Sequence, residues 1–275
     1  IFLNGLALFA IELKLNSSGQ SVDDAIRQLK KRDSKNRLFK FNAGVLASFA
    51  VDTLEVYMTT EIKEQDTYFL PFNMGKGEGA DQGAGNPHNE SGPDTAYFWK
   101  EVLAKDSILQ LIERFIFLKV DRDKKSKKAL IFPRYQQRRA VNRVLEDMKV
   151  NHTDSNYLIQ HSAGSGKTNT IAWLAHSLVS LHDHEDRNVV DAVLIVTDRI
   201  VVDRQLQDAV QAIQHQPGVI KVMDDKATSS DLADALAGNT KIIATTIHKF
   251  AQINKSDWMT AGPTAQKRFA ILVSY

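Results

Sequence analysis

A glycine-rich loop in the second half of the chain has the composition of a phosphate-binding loop. Its residues are His161, Ser162, Ala163, Gly164, Ser165, Gly166, Lys167 and Thr168. Glycines let the backbone curl, so that successive N–H groups point at the α- and β-phosphates of a nucleotide. Lys167 supplies positive charge for the β- and γ-phosphates, and the Thr168 hydroxyl suits Mg²⁺. The pattern predicts an ATP site formed by residues 162–168, with Thr168 as a ligand of Mg²⁺.

One residue of this loop and one residue upstream of it indicate the class of nucleotide-binding protein. The general phosphate-loop pattern has glycine at position 161, where this chain has histidine. The variant resembles the loop of superfamily 2 helicases and translocases. Upstream, the segment FPRYQQRRA resembles the glutamine motif that reads adenine in those motors, and its Gln-x-x-Ala spacing selects Gln137. A glutamine on an exposed helix face is the alternative.

Polar residues also end two apolar runs downstream of the loop. They are Thr197, Asp198, Arg199, Thr245 and Thr246. Ligands of open parallel sheets bind outside the carboxyl ends of the strands. Motors of superfamily 2 have DNA-contacting motifs at these two places, and this resemblance predicts a DNA or nucleotide role for these residues, with simple helix capping as the alternative.

A Glu-x-Lys pair lies near the start of the chain. Glu12 and Lys14 are two residues apart on a predicted strand, so their side chains share one face. A metal-dependent nuclease needs a carboxylate to hold Mg²⁺ and a lysine to position the attacking water. The pair is a candidate catalytic site with Glu12 as metal ligand; a solvated charge pair at a strand end is the alternative.

The elements that must position the Glu-x-Lys pair are predicted from local patterns. An apolar strand covers residues 6–14, and Ser21 with Asp24 has the spacing of a capping box that starts a helix. One apolar stripe of this helix consists of Val22, Ala25, Ile26 and Leu29. Residues 71–94, rich in glycine and proline, are predicted to form a long loop, and residues 97–118 an amphipathic helix.

After Pro133 the pattern changes to short apolar runs that alternate with amphipathic segments. A helix is predicted over residues 134–148, a strand at 157–160 before the phosphate loop, and a helix after it. Further strands are predicted at 192–197, 219–222, 241–245 and 269–274. This alternation predicts a parallel sheet covered by helices on both faces.

A basic segment separates the two patterns. Residues 119–143 hold ten basic and two acidic residues. We divide the chain into a domain at 1–118, a basic linker at 119–132 and a second domain at 133–275. The basic segment is either a solvated linker or a strip that faces a polyphosphate such as DNA.

Composition excludes several classes of protein. The chain has 275 residues and no cysteine, which rules out disulfides and thiolate metal sites and favours a reducing cytoplasm. It contains no uninterrupted apolar run of about 18 residues, so we expect no membrane span.

The chain as a whole resembles the restriction (motor and nuclease) subunit of type I restriction–modification enzymes. The matching stretches include LNGLALFAIELK, DDAIRQLKKRD, FLPFNMGKG, HSAGSGKTNTIAWLAH, VLIVTDRIVVDRQLQD and IIATTIHKF, in the family's order. The resemblance implies an α/β fold: a partial PD-(D/E)xK nuclease-like domain, then an incomplete RecA-like parallel-sheet motor domain of superfamily 2 type.

The resemblance also implies roles. Glu12 and Lys14 correspond to the family's nuclease motif, and Gln28 to the glutamine of its Gln-x-x-x-Tyr motif, although position 32 is arginine. Expected cofactors are ATP and Mg²⁺; expected partners are double-stranded DNA and the methyltransferase and specificity subunits. The family's metal-binding aspartate would precede Ile1, and the motor's Asp-Glu pair would follow Tyr275, so we expect an internal piece of a longer protein.

Two other functions stay open on the residues alone. A repair or remodelling helicase would carry the first domain as a structural or docking module. A non-catalytic, nucleotide-dependent DNA-binding module would lack an acidic pair in its motor.

Overall fold

The structure is a computed structural model. It describes residues 1–77, 83–120, 128–152, 155–162, 164–198, 200–213, 219–223, 227–248 and 266–274. The chain forms two compact units, Ile1–Gln136 and Gln137–Tyr275. Among the described helices, none combines the length and apolar character that a membrane span requires.

The first unit is built on a mixed four-stranded sheet. Its described strands are β1 (Phe2–Leu3), β2 (Leu6–Ala7), β3 (Phe9–Leu13), β4 (Ala47–Val51), β5 (Val56–Thr59), β6 (Leu70–Pro71), β7 (Phe117–Val120) and β8 (Lys128–Ile131). The sheet has the order β3-β4-β5-β6, in which β3 and β4 are parallel and the other neighbours antiparallel. Strands β1 and β2 form a separate antiparallel pair.

Helix α1 (Val22–Lys30) connects the two parallel strands, β3 and β4. The predicted capping box is confirmed: the Asp24 carboxylate accepts a hydrogen bond from the Ser21 N–H at 2.9 Å. The predicted apolar stripe is also confirmed, since Val22, Ala25 and Leu29 are buried and pack with Ala50 and Ile62, and Ile26 is partly buried against them. This packing fixes the face that α1 turns toward the sheet.

A buried aspartate ties the start of α1 to the end of β4. Asp52 is 5% exposed, and its carboxylate accepts hydrogen bonds from the N–H groups of Val22, Leu54 and Glu55, each at 2.8 Å. Asn16 donates a further bond at 3.1 Å. These bonds give an acceptor to the buried Val22 N–H and to the partly buried N–H groups of Leu54 and Glu55.

The described parts of the long loop, 71–77 and 83–94, are anchored by two buried asparagines. The Asn86 amide donates to Asn73 Oδ1 at 3.0 Å and to the Leu54 carbonyl at 2.8 Å. Asn73 Oδ1 also accepts from the Val56 N–H at 2.8 Å. The loop is therefore attached to the sheet at both of its ends.

The predicted continuous helix at 97–118 is wrong. A π-helical turn at Phe98–Val102 precedes α2 (Lys105–Gln110), and a second π-helical turn follows at Leu111–Phe115. Phe98, Leu111 and Phe115 are each 1% exposed or less. The wider turns let these large side chains reach the core, which sequence periodicity does not encode.

The predicted boundaries also differ from the observed division. Residues 119–132 belong to the first unit, and their described ends are paired: β7 and β8 form an antiparallel ladder with Phe117 opposite Ile131. Phe117 and Phe132 are buried, and burial of these flanking aromatic side chains fixes the pairing. Four of the six basic residues of segment 119–132 lie at 121–127, outside the described residues.

The second unit has an all-parallel sheet, as predicted. Its described elements are α3 (Tyr135–Asn151), which spans the division, α4 (Lys167–Leu178), β9 (Ala192–Thr197), α5 (Ile200–Ile213), β10 (Ile220–Val222), α6 (Ser229–Ala237), β11 (Ile242–Thr246) and β12 (Phe269–Ser274). The order is β10-β11-β9-β12. Strands β9 and β11 are buried along their whole length, which accounts for their continuous apolar runs.

The strand predicted at 157–160 is not formed. Leu158 is 93% exposed, and the segment pairs with no described strand. Instead, the Tyr157 hydroxyl donates to Asp147 at 2.5 Å. An apolar run becomes a strand only where a neighbouring strand edge accepts its backbone hydrogen bonds.

Candidate functional site

The phosphate loop has the backbone geometry that its glycines predict. Gly164 and Gly166 have φ values of 72° and 88°, in the left-handed region that side chains disfavour. Ser165 folds the loop back, because its N–H and hydroxyl both donate to the Ser162 carbonyl, at 3.2 and 2.6 Å. Ala163, also predicted to bind ATP, lies outside the described residues.

Helix α4 starts at the end of this loop without a side-chain cap. Gly166 is its N-cap residue and has no side chain that could accept a hydrogen bond from the first turn. Uncapped N–H groups at a helix start attract anions, helped by the helix dipole. Lys167, exposed, and Thr168, half-buried, are the first two residues of α4, so charge, hydroxyl and N–H groups converge there.

Gln137 supports the loop from α3. Its side-chain amide donates to the carbonyls of Gly166 and Ser165 at 3.0 and 3.2 Å, and Gln137 is only 4% exposed. A Cβ atom on Gly166 would lie 2.5 Å from this amide nitrogen. The glutamine predicted to read adenine therefore also fixes the backbone of the phosphate loop.

His161 lies beside the loop with a buried ring nitrogen. Its Nε2 atom has no hydrogen-bond partner among the described residues. Burial, and secondarily the charge of Lys167, lower the pKa of His161 below its usual value. The lower pKa favours the neutral imidazole, which would add no charge to a nucleotide site.

The strand-end residues lie at one edge of the second sheet. Thr197 and Thr246 are opposite each other in register, with Ser274 on the other side of Thr197. The hydroxyls of Thr197 and Thr245 are buried and make no hydrogen bond within the described part of the chain. Sequence reasoning overlooked Ser274; a serine at the end of an apolar strand was its only signal.

Of the two predicted residues that follow β9, one is described in the structure and the other is not. Asp198 is exposed directly after β9. Arg199 lies outside the described residues. The role of these five positions in DNA binding stays a prediction.

In the first unit, the three predicted nuclease residues are brought together. Lys14 donates from Nζ to Glu12 Oε1 at 3.2 Å and to Gln28 Oε1 at 2.8 Å. Glu12 lies on β3, Lys14 just beyond it and Gln28 on α1, so the parallel β3–α1–β4 unit assembles the cluster. The Lys14 side chain is 11% exposed and that of Glu12 16% exposed.

Arg32 is a fourth member that sequence reasoning did not assign. Its guanidinium lies 3.4 Å from Glu12 Oε2, on the opposite carboxylate oxygen from Lys14. A basic residue one helical turn after Gln28 was the available signal. Below, "the Glu12 cluster" means Glu12, Lys14, Gln28 and Arg32.

The Glu12 cluster offers Mg²⁺ a single carboxylate as a protein ligand. The described residues contain no group of three or more histidine, aspartate and glutamate side chains that could hold a metal ion. Glu12 thus supplies one carboxylate. Mg²⁺ is commonly held by one or two carboxylates together with water and substrate phosphates, and a single carboxylate fits that pattern.

Comparisons with known proteins match a different family model to each half of the chain. A family model described as SWI2/SNF2 ATPase matches residues 136–274, and one described as type I restriction enzyme R protein N terminus matches residues 1–67. A relative from Methanocaldococcus jannaschii, named "Putative type I restriction enzyme MjaVIIIP endonuclease subunit", is 26% identical over 223 residues.

That match covers 78% of this chain and 19% of the relative, so the chain spans about a fifth of the relative's length. The N-terminal match contains the Glu12 cluster, and the ATPase match contains the phosphate loop and Gln137. The chain belongs to the SWI2/SNF2 ATPase family and is part of a type I restriction enzyme R subunit.

Proposed function

We propose that the chain contributes to ATP-dependent translocation of double-stranded DNA coupled to Mg²⁺-dependent endonucleolytic cleavage, in the cytoplasm. The observation that carries the proposal is the assembly of Glu12, Lys14 and Gln28 through one lysine that is only 11% exposed, in the same chain as a phosphate loop. A purely structural ion pair would explain why Lys14 contacts Glu12. It would not explain why Gln28 accepts a second hydrogen bond from the same ammonium group.

In the second unit, the loop N–H groups, Lys167 and Thr168 would hold the phosphates of ATP and its Mg²⁺. ATP supplies a phosphoanhydride whose hydrolysis releases free energy. Lys167 balances the negative charge of the β- and γ-phosphates. Gln137 keeps the loop in its curved form through the carbonyls of residues 165 and 166, and its position beside the loop is compatible with contact to the base.

In the first unit, Glu12 would hold Mg²⁺, which supplies Lewis-acid polarisation of the scissile phosphate. Lys14 would orient the attacking water and donate a hydrogen bond to charge that develops on the phosphate. Gln28 holds the Lys14 ammonium group toward Glu12, so that the lysine enters the reaction already oriented.

DNA contacts are proposed at five positions that end two strands of the second sheet or follow one of them in the sequence: Thr197, Asp198, Arg199, Thr245 and Thr246. The basic residues of segment 119–143 would add phosphate contacts that depend on salt. We further propose that methyltransferase and specificity subunits complete the enzyme and choose its DNA site.

The test is substitution of the Glu12 cluster in the assembled enzyme. Glu12→Gln and Lys14→Gln should each reduce DNA cleavage at least about 100-fold, while DNA-stimulated ATP hydrolysis stays within about twofold of the unaltered enzyme. Cleavage is measured on circular DNA, and ATP hydrolysis by phosphate release.

Glu61→Gln is the matched control, because Glu61 lies in the same unit and pairs with Lys63 at 2.8 Å outside the cluster. It should cut DNA normally. Normal cleavage by Glu12→Gln would reject the nuclease role and favour the helicase with a non-catalytic first unit.

A further inference from the structure

Arg32 lies where the resembled Gln-x-x-x-Tyr motif has its tyrosine. It lies two residues after the end of α1 and continues its last turn, since its N–H donates to the Leu29 carbonyl at 3.0 Å. Gln28, one helical turn earlier, contacts Lys14 from the same end of α1. The side chains of Arg32 and Gln28 therefore approach the Glu12 carboxylate from one helix end.

The charges in the Glu12 cluster do not balance. Lys14 and Arg32 are both cations and form ion pairs with a single carboxylate, that of Glu12. The four side chains of the cluster thus have one positive charge in excess, which the more distant Asp24 carboxylate offsets in part. An excess cation at a partly exposed site favours an anion.

The two cations are held very differently. Lys14 is 11% exposed and has two good acceptors, Glu12 and Gln28. Arg32 is 44% exposed, and its contact with Glu12 is a single long one at 3.4 Å. A guanidinium has five N–H donors in a planar fork that matches two oxygens of a phosphate. The contact with Glu12 thus leaves most of the donors of Arg32 open to a ligand from solvent.

We propose that Arg32 binds a phosphodiester of the DNA backbone at the Glu12 cluster, as a positioning residue for cleavage. It rests on the proposed nuclease function. Transfer of the guanidinium from Glu12 Oε2 to a phosphate places the DNA strand beside Lys14. The same transfer frees the second oxygen of Glu12 for Mg²⁺, so the arrival of DNA completes the metal-binding carboxylate.

The test measures DNA binding by the intact chain, without divalent cations, so that no cleavage occurs. A short fluorescent duplex is titrated at several salt concentrations, and log Kd is plotted against log salt. One phosphate contact contributes about 0.9 to this slope. Arg32→Gln and Arg32→Tyr should each lower the slope by about that amount, whereas Arg32→Lys should keep most of it.

Arg27→Gln is the matched control, since Arg27 lies five residues before Arg32 on α1, is 66% exposed and pairs with a carboxylate, that of Asp24. It should leave the slope unchanged. An unchanged slope in both Arg32→Gln and Arg32→Tyr, with or without a lower melting temperature, would overturn the proposal and leave Arg32 as a stabiliser of α1.

The result of this DNA-binding test is independent of the result of the cleavage test with Glu12→Gln. A lower slope for Arg32→Gln supports the phosphate contact even where Glu12→Gln still cuts DNA. An unchanged slope rejects the contact even where Glu12→Gln abolishes cleavage.

Discussion

At the scale of single residues, Lys14 and Gly166 each fix the local geometry of a candidate site. Lys14 is a nearly buried cation whose desolvation is offset by Glu12 and Gln28, so its position is defined before any substrate arrives. Gly166 combines a left-handed backbone with the close approach of the Gln137 amide. Both residues restrict geometry where a phosphate is proposed to bind.

Replacement of Gly166 by alanine tests this restriction. Gly166→Ala should weaken ATP binding at least about tenfold, because left-handed strain of roughly 1–3 kcal/mol adds to a clash with Gln137. The measurement is titration calorimetry with a non-hydrolysable ATP analogue.

Gly164→Ala separates the two causes. Gly164 has a similar φ of 72°, but a Cβ there would meet no atom within 4 Å. It should weaken binding less than Gly166→Ala does. Equal affinities for the two variants would mean that the contact between Gln137 and Gly166 has no role in nucleotide binding.

At the scale of elements, the β3–α1–β4 unit positions the Glu12 cluster, and Asp52 fixes that unit. Asp52 joins the start of α1 to the turn after β4 through three backbone N–H groups. Displacement of α1 would move Gln28 and Arg32 away from β3. The geometry of the cluster therefore depends on a residue that does not touch it.

Asp52→Ala should destabilise α1 by roughly 2–4 kcal/mol, because it leaves buried N–H groups without acceptors. The measurement is hydrogen exchange of the α1 amides, which should speed up by about 30-fold or more. Asp23→Ala is the control: Asp23 is exposed in the same first turn, and its loss removes only a helix-dipole interaction. Equal exchange rates in the two variants would contradict the structural role of Asp52.

Sequence patterns predicted those elements whose signals are local. Ser21, Asp24 and the apolar stripe sufficed for α1, and the glycines sufficed for the curved phosphate loop. Elements decided by distant partners were not predictable in this way. The strand at 157–160 needs a neighbouring edge, the π-helical turns depend on burial of Phe98 and Phe115, and Arg32 meets Glu12 across 20 positions of chain.

At the scale of the whole molecule, the chain carries two sites of different chemistry in two separate compact units. The first unit holds the Glu12 cluster and the second the phosphate loop, as the two family matches divide them. Under the proposed function, ATP is consumed in one unit and DNA is cut in the other. Under this proposal, DNA cleavage depends on ATP hydrolysis at the site of Lys167.

The most direct measurement compares ATP hydrolysis and DNA cleavage by Lys167→Ala in the assembled enzyme. We predict that both activities fall at least about 100-fold, because the charge on the β- and γ-phosphates is no longer balanced. Lys149→Ala, an exposed lysine at the end of α3, should retain both. Cleavage that persists in Lys167→Ala while ATP hydrolysis is lost would contradict the account.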